Sequence, residues 1–297
     1  MTIVATLISD PKARALDPSV ANMAAGCVDA SRIEWLAPGI ACDICLPEGI
    51  DAQRAEEALR AALAGFPLDI ALQQAEGRKK KMLIADMDST MIEQECIDEL
   101  ADEIGIKDHV AVITRRAMNG EIAFEPALRE RVALLKGLEL AVVDRVIAHR
   151  IRLASGGREL VATMNAAGAH TVLVSGGFDV FTGPVAAKLG FRDHRANRLI
   201  VEEGRLAGTV AEPILGRKAK ADALMAISAE RNIEPSEVIA VGDGANDLDM
   251  LRLAGAGVAL HAKPSVAAEA RLRIDHGDLT ALLYLQGYRQ EEFVSGA

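Results

Sequence analysis

Lys81–Met91 reads KMLIADMDSTM. A short apolar run, Met82 to Ala85, leads straight into Asp86 and Asp88, with Ser89 and Thr90 behind them. Such a run, bounded by polar residues, suits a strand buried on both faces. Two carboxylates at the end of that strand repel each other, and neither has an obvious local cation. Something from elsewhere in the chain must make the arrangement favourable.

Downstream, HTVLVSG (170–176), EVIAVGD (237–243) and AGVAL (256–260) have the same character. Each is followed by a turn-rich polar segment and then a helical pattern, as expected for parallel strands covered by helices. In such open sheets ligands bind beyond the carboxyl ends of the strands. DMDST, SGGF and GDGAND all fall at those ends. A helical stretch at about 92–150 separates the first two strands. It is too long for a plain connection, so part of it reads as a cap over the strand ends.

Upstream, residues 1–76 form a separate pattern. TIVATLIS, IEWLA, IACDICLPE and PLDIALQQA read as strands. DPSVANMAAGCVDA and DAQRAEEALRAALAGF read as helices, the second with Ala55, Leu59, Ala62 and Leu63 on one side. The order strand-helix-strand-strand-helix-strand is the ferredoxin-like arrangement. The basic linker GRKKK (77–81) joins this unit to the α/β unit at 82–297.

The totals agree with two units. The chain has 297 residues, half of them apolar, enough for a proper core. The formal net charge of −10 makes it a poor general binder of nucleic acid, because phosphate neutralisation supplies most of that affinity. A small anionic substrate stays admissible if local cations or a metal offset the field. No window approaches the roughly 20 apolar residues of a membrane span, and no secretory leader pattern opens the chain. The expectation is a cytoplasmic protein. Cys27, Cys42, Cys45 and Cys96 form no disulfide framework. Cys42 and Cys45 lie three apart on a strand, so they face opposite sides and make a poor metal pair.

The carboxylates Asp86, Asp88, Asp243 and Asp247 contain no histidine among them, which is what a hard cation requires. Mg²⁺ takes oxygen ligands, keeps waters and shares substrate phosphates. The glycines of SGGF let backbone N–H groups approach an anion. Lys218 and Lys220 of GRKAKADAL each offer a cation to a phosphoryl group. Taken alone, a D-x-D turn, an SGG turn or a lysine at a helix start is ordinary; the three clusters together are specific. Neither the phosphate loop G-x-x-x-x-G-K-[ST] nor the G-x-G-x-x-G fingerprint occurs.

Together, DMDST, VSGGF, the downstream lysine and GDGAND resemble the four motifs of the haloacid dehalogenase superfamily of phosphatases. DMDSTMIEQECIDELAD, RVALLKG and LVSGGFDVFTGPVAAKLGF are similar, within it, to the phosphoserine phosphatases. The resemblance covers roughly residues 80–290. It implies an HAD-like Rossmannoid sheet with a helical cap. Asp86 would be the nucleophile and Asp88 the proton donor and acceptor. Asp86, the backbone carbonyl of Asp88, and Asp243 would hold Mg²⁺, with Asp247 adjacent. Ser175, Gly176, Lys220 and Asn246 would cradle the phosphoryl group, Lys220 being preferred to Lys218 on the family's spacing. Glu95 would bind the substrate ammonium, Arg131 its carboxylate, and Phe124 would shield the site. Other small phosphomonoesters such as phosphohomoserine stay open, since one methylene discriminates by only about 1–3 kcal/mol. The N-terminal unit resembles ACT-type small-molecule-binding domains. Two roles stay open for it: packing or homodimer formation, and binding an amino-acid effector.

Overall fold

The structure, a computed structural model, describes residues 2–296. The N-terminal unit runs β1 (Ile3–Ser9), α1 (Pro18–Cys27), β2 (Arg32–Ala37), β3 (Ala41–Cys45), α2 (Ala52–Ala62) and β4 (Leu68–Gln74). Its sheet has the order β2-β3-β1-β4 and its pairings are antiparallel, the ferredoxin-like topology. Both helices start on an aspartate. Asp17 accepts from the N–H groups of Ser19 and Val20, and Asp51 from those of Gln53 and Arg54, so each caps donors the helix leaves open. Alternation splits the strands between two cores. Ala5, Leu7, Cys42 and Ile44 pack under the helices, whereas Ile8, Ala41 and Ala71 join the core of the C-terminal unit. The sheet is therefore buried on both faces. Leu59 and Leu63 fill the helix side of that core, and Ala62 stays half-buried.

The C-terminal unit begins with β5 (Met82–Ala85). Four cap helices follow, α3 (Cys96–Asp102), α4 (Lys107–Met118), α5 (Phe124–Leu134) and α6 (Val142–His149). The chain returns through α7 (Gly157–Ala166), β6 (His170–Phe178), α8 (Asp179–Leu189), β7 (Asp193–Asn197), β8 (Leu199–Glu202), β9 (Arg205–Val210) and α9 (Arg217–Arg231). It closes with β10 (Val238–Gly242), α10 (Leu248–Leu253), β11 (Ala256–Leu260), α11 (Pro264–Glu269), β12 (Leu272–Ile274) and α12 (Ala281–Leu285).

The large sheet has the order β12-β11-β10-β5-β6-β7, with parallel pairing throughout. Met82 and Ile84 face one core while Leu83 and Ala85 face the other, which is why β5 reads as an unbroken apolar run. Two of its edge strands, β7 and β12, escaped the sequence reading. DHRAN is mostly polar and LRI is only three residues, so neither carries a buried-strand pattern. The β8–β9 hairpin was also missed. It reaches from the body to the cap, where Gly137 N–H donates to the Leu206 carbonyl and Leu206 N–H to the Leu138 carbonyl, both at 2.8 Å.

The cap leaves and re-enters the body through two adjacent segments. Glu93 N–H donates to the Arg152 carbonyl and Ala154 N–H to the Met91 carbonyl, both at 3.0 Å. The two body units are also clamped. Asp69 of β4 accepts from the N–H groups of Asp275 and Gly277, each at 2.7 Å, and of His276.

Candidate active site

The register Val241↔Ala85 and Ala85↔Leu173 sets the ends of β10 and β5 level with the middle of β6, whose second half, with a register break between Val174 and Phe178, runs on past them. GDGAND, DMDST and SGGF therefore meet as spatial neighbours, although they lie far apart in the chain. Asp86 N–H still belongs to the sheet edge, donating to the Val241 carbonyl at 3.0 Å. Its side chain points to charges from two other segments.

Lys220 of α9 is fully buried. Its Nζ donates to Asp86 Oδ1 at 2.5 Å and to Asp247 Oδ1 at 2.7 Å. This is the distant cation that the opening stretch lacked. Lys218 lies on the exposed side of the same helix and pairs with Asp222 at 2.7 Å. Burial works against the Lys220 charge, but the Asp247 and Asp86 carboxylates outweigh it and raise its pKa. Burial and Asp247 push the Asp86 carboxyl up, while Lys220 pulls it back.

Asp88 sits half-buried beside it. Its Oδ1 accepts from Cys96 N–H at 2.8 Å and its Oδ2 from the Ser175 hydroxyl at 3.2 Å. Burial raises its pKa, partly offset by these bonds. Ser175 Oγ in turn accepts from Gly177 N–H at 2.8 Å, within the irregular last stretch of β6. A side chain at Gly176 would strike Phe124, whose Cζ would stand 2.6 Å from an added Cβ. The cap thus rests directly on that stretch.

Asp243 accepts from Thr90 Oγ1 at 3.1 Å through Oδ1, and its Oδ2 lies 3.0 Å from Lys263 Nζ. Asp247 Oδ2 accepts from Gly244 N–H at 3.0 Å. Gly242 makes room for this arrangement, because an added Cβ would fall 2.4 Å from Asp247 Cγ. One oxygen from each of Asp86, Asp243 and Asp247 lies within 4.8 Å of the others. The set is oxygen-only and buried. Three carboxylates share two ammonium groups, Lys220 and Lys263, so a hard divalent ion fits both the charge and the donor type. Asn246 is buried next to them, with its Oδ1 unpartnered.

Asp86, Asp88, Ser175, Gly176 and Asn246 form the floor of one cavity. Glu95, Phe124 and Arg131 form its cap wall, together with Ile97, Met118 and Leu128. The space between is small, about 30 Å³, room for little more than water. Glu95 ends the loop before α3 and accepts from Ser89 Oγ at 2.8 Å. Burial, with Asp88 and Asp243 nearby, raises its pKa well above the ordinary range. Arg131 is buried in α5, with Nε donating to the Ala127 carbonyl at 3.0 Å and Nη1 to Thr114 Oγ1 at 2.9 Å.

Several residues with clear parts in this architecture carried no role in the sequence reading. Lys263 follows the end of β11, a strand end where the rule used for the other clusters would have found it. Asn197 is buried and bonded to the Gly176 carbonyl at 2.8 Å and to Leu215 N–H at 2.6 Å, tying the SGGF loop to the segment leading into α9. No sequence signal marks it.

The chain belongs to the haloacid dehalogenase-like hydrolase family, whose profile matches residues 83–252. Its similar relatives within that family are phosphoserine phosphatases. The protein of that name from Streptomyces coelicolor is 40% identical over 82% of this chain. The match spans 60% of that longer protein. The one from Albidiferax ferrireducens is 44% identical over 69% of this chain and 89% of its own length. Among solved structures, a phospho-aspartyl intermediate analogue of a phosphoserine phosphatase superposes with a TM-score of 0.67 at 40% identity. That likeness covers 69% of this chain and 98% of the other.

Proposed function

We propose that this chain is a Mg²⁺-dependent phosphoserine phosphatase, hydrolysing O-phospho-L-serine to L-serine and phosphate, the last step of serine synthesis. One observation carries this reading. A buried carboxylate at a strand end, Asp86, is paired with a buried lysine, while Asp88 sits two residues on, bonded to the anion-cradling loop. A solved relative named as a phospho-aspartyl intermediate analogue supports the same chemistry.

In this mechanism Asp86 attacks phosphorus and the bond to the serine oxygen breaks, leaving an aspartyl-phosphate. Asp88 gives its proton to the departing oxygen. The pKa raised by burial suits it to hold that proton. Asp88 then takes a proton from water, which attacks phosphorus and releases Asp86 and phosphate. Ser175, Gly176, Lys220 and Asn246 hold the phosphoryl oxygens, since phosphoryl transfer is chiefly positioning and charge stabilisation. Asp86, the Asp88 carbonyl and Asp243 would hold Mg²⁺ with Asp247 beside them; when bound, the ion neutralises phosphoryl charge so that a carboxylate can approach. Glu95 receives the substrate ammonium, Arg131 its carboxylate, and Phe124 keeps water out.

Residues 1–76 form the accessory unit, 77–81 the linker and 82–297 the catalytic unit with its cap. Among the described residues no helix is long and apolar enough to cross a membrane, and the reading puts the enzyme in the cytoplasm. The test is phosphate release from L-phosphoserine, phosphohomoserine, phosphothreonine and p-nitrophenyl phosphate, each with Mg²⁺ and with chelator. A strong Mg²⁺-dependent preference for L-phosphoserine is expected. Activity on the generic ester but not on phosphoserine would keep the Asp86 chemistry and remove the roles of Glu95 and Arg131.

A further inference from the structure

The acids of α3 do not all do the same work. Glu99 pairs with Lys107 at 2.6 Å, and Arg150 reaches Asp102 and, at 2.9 Å, Glu103. These are direct ion pairs toward the outer side of the cap. Asp98 is buried and meets no cation directly. Its Oδ1 accepts instead from the Thr114 hydroxyl at 2.6 Å. The same hydroxyl oxygen accepts from Arg131 Nη1 at 2.9 Å. A hydroxyl has one proton. The Val110 carbonyl, the other acceptor, lies farther off at 3.1 Å, so the proton belongs to the carboxylate. The order is then fixed as Asp98 carboxylate, Thr114 hydroxyl, Arg131 guanidinium.

A buried guanidinium needs a counter-charge. An aspartate in direct contact would supply one, but it would occupy the same fork that binds a carboxylate in two-point fashion. Glu95, across the same cavity, supplies the larger share of that charge, and bridging through Thr114 adds the Asp98 charge from one residue away. The side of the guanidinium carrying Nε is already taken by the Ala127 carbonyl at 3.0 Å. One N–H of Nη1 is spent on Thr114; Nη2 has no hydrogen-bond partner among the described residues, so Nη2 and the second N–H of Nη1 remain to donate. Arg131 lines the cavity above Asp86 and Asp88.

We propose that Asp98 and Thr114 are positioning residues that set the preference for carboxylate-bearing phosphomonoesters, holding Arg131 by one N–H of Nη1 so that Nη2 and the other N–H of Nη1 face the substrate carboxylate. The inference deepens the proposed function and rests on it. Both residues act through Arg131 and touch no reacting atom, so their loss falls on substrate binding rather than on the chemical step.

The experiment measures kcat and KM of Thr114→Val and Thr114→Ser, with O-phospho-L-serine and with p-nitrophenyl phosphate, which has no carboxylate. Thr114→Val should raise KM for phosphoserine by about tenfold or more, the effect of losing one charge-assisted bond. Its kcat should stay within about twofold, and kcat/KM for the generic ester should not change. Thr114→Ser restores the hydroxyl and should restore KM. Asp98→Asn, which still accepts the hydroxyl bond but lacks the charge, should give an intermediate KM and serves if Thr114→Val does not fold. Equal losses on both esters, or an unchanged KM, would overturn the relay. A wild-type enzyme with no preference for phosphoserine would instead remove the reading beneath it.

Discussion

Two of the places where this molecule buries carboxylates handle them in opposite ways. Between the two body units, Asp69 accepts three consecutive backbone N–H groups. Nearby, Asp43 spends one oxygen on Thr6 at 2.7 Å and the other on Arg78 at 2.5 Å. Each acid there has its partners within the protein. At the strand ends of the catalytic unit, Asp86, Asp243 and Asp247 share two lysines, and the Asn246 carbonyl oxygen beside them has no partner. Burying a charge is tolerable only when it is paired and hydrogen-bonded. The first site meets that condition by itself and holds structure together. The second meets it only with a ligand, and that deficit marks it as the place of chemistry.

The contrast can be broken most severely at Asp86. Asp86→Asn keeps the shape and the sheet-edge backbone bond but removes the proposed nucleophile. Turnover should fall by more than about a thousandfold with the fold intact. Substantial residual activity in a phosphate-release assay would remove the nucleophile assignment. A second test adds the missing charge. Mg²⁺ at about 100 times its dissociation constant should stabilise the protein by about 2.7 kcal/mol, read as a rise in the unfolding midpoint reversed by chelator. Asp243→Asn should shrink that rise. A wild-type midpoint indifferent to Mg²⁺ would mean that the acid cluster balances itself, as the interface does.

The smallest change is expected on the structural side. Asp69→Ala leaves the N–H groups of Asp275, His276 and Gly277 unpartnered, which should cost about 1–3 kcal/mol in denaturant unfolding. Activity of the folded enzyme should be retained. A loss of kcat without a loss of stability would show that the clamp serves catalysis, and the division between the two sites would fail.

The legible parts of the sequence share a cause. Strands buried on both faces write themselves as continuous apolar runs, and β5, β6, β10 and β11 were each readable from that alone. The clusters at their ends were legible in combination, because each alone is an ordinary turn but all of them fall at the ends of such runs. What escaped has shorter or weaker patterns. β12 is three residues and β7 is mostly polar. No sequence signal singles out Thr114 or Asp98, since inward and outward acids on α3 differ only in what lies opposite. The cysteines fitted the structural reading. All four are free, and burial pushes the Cys42 thiol up to about 12, so it stays a protonated core residue.

The sequence by itself determined the ferredoxin-like order of the N-terminal unit, the four central parallel strands β5, β6, β10 and β11, and the three polar clusters at the candidate site. Periodicity and strand-end polarity are local properties and survive in one dimension. The family spacing already favoured Lys220 over Lys218, and the fold shows it paired with Asp86; only the tertiary structure decided that Lys263 joins Asp243 and that one hydroxyl stands between Asp98 and Arg131. Those choices depend on which side chains a sheet register and a packed cap bring within hydrogen-bond reach. Residues such as Asp86 and Lys220, separated by 134 positions, carry no mark of each other until the chain is folded.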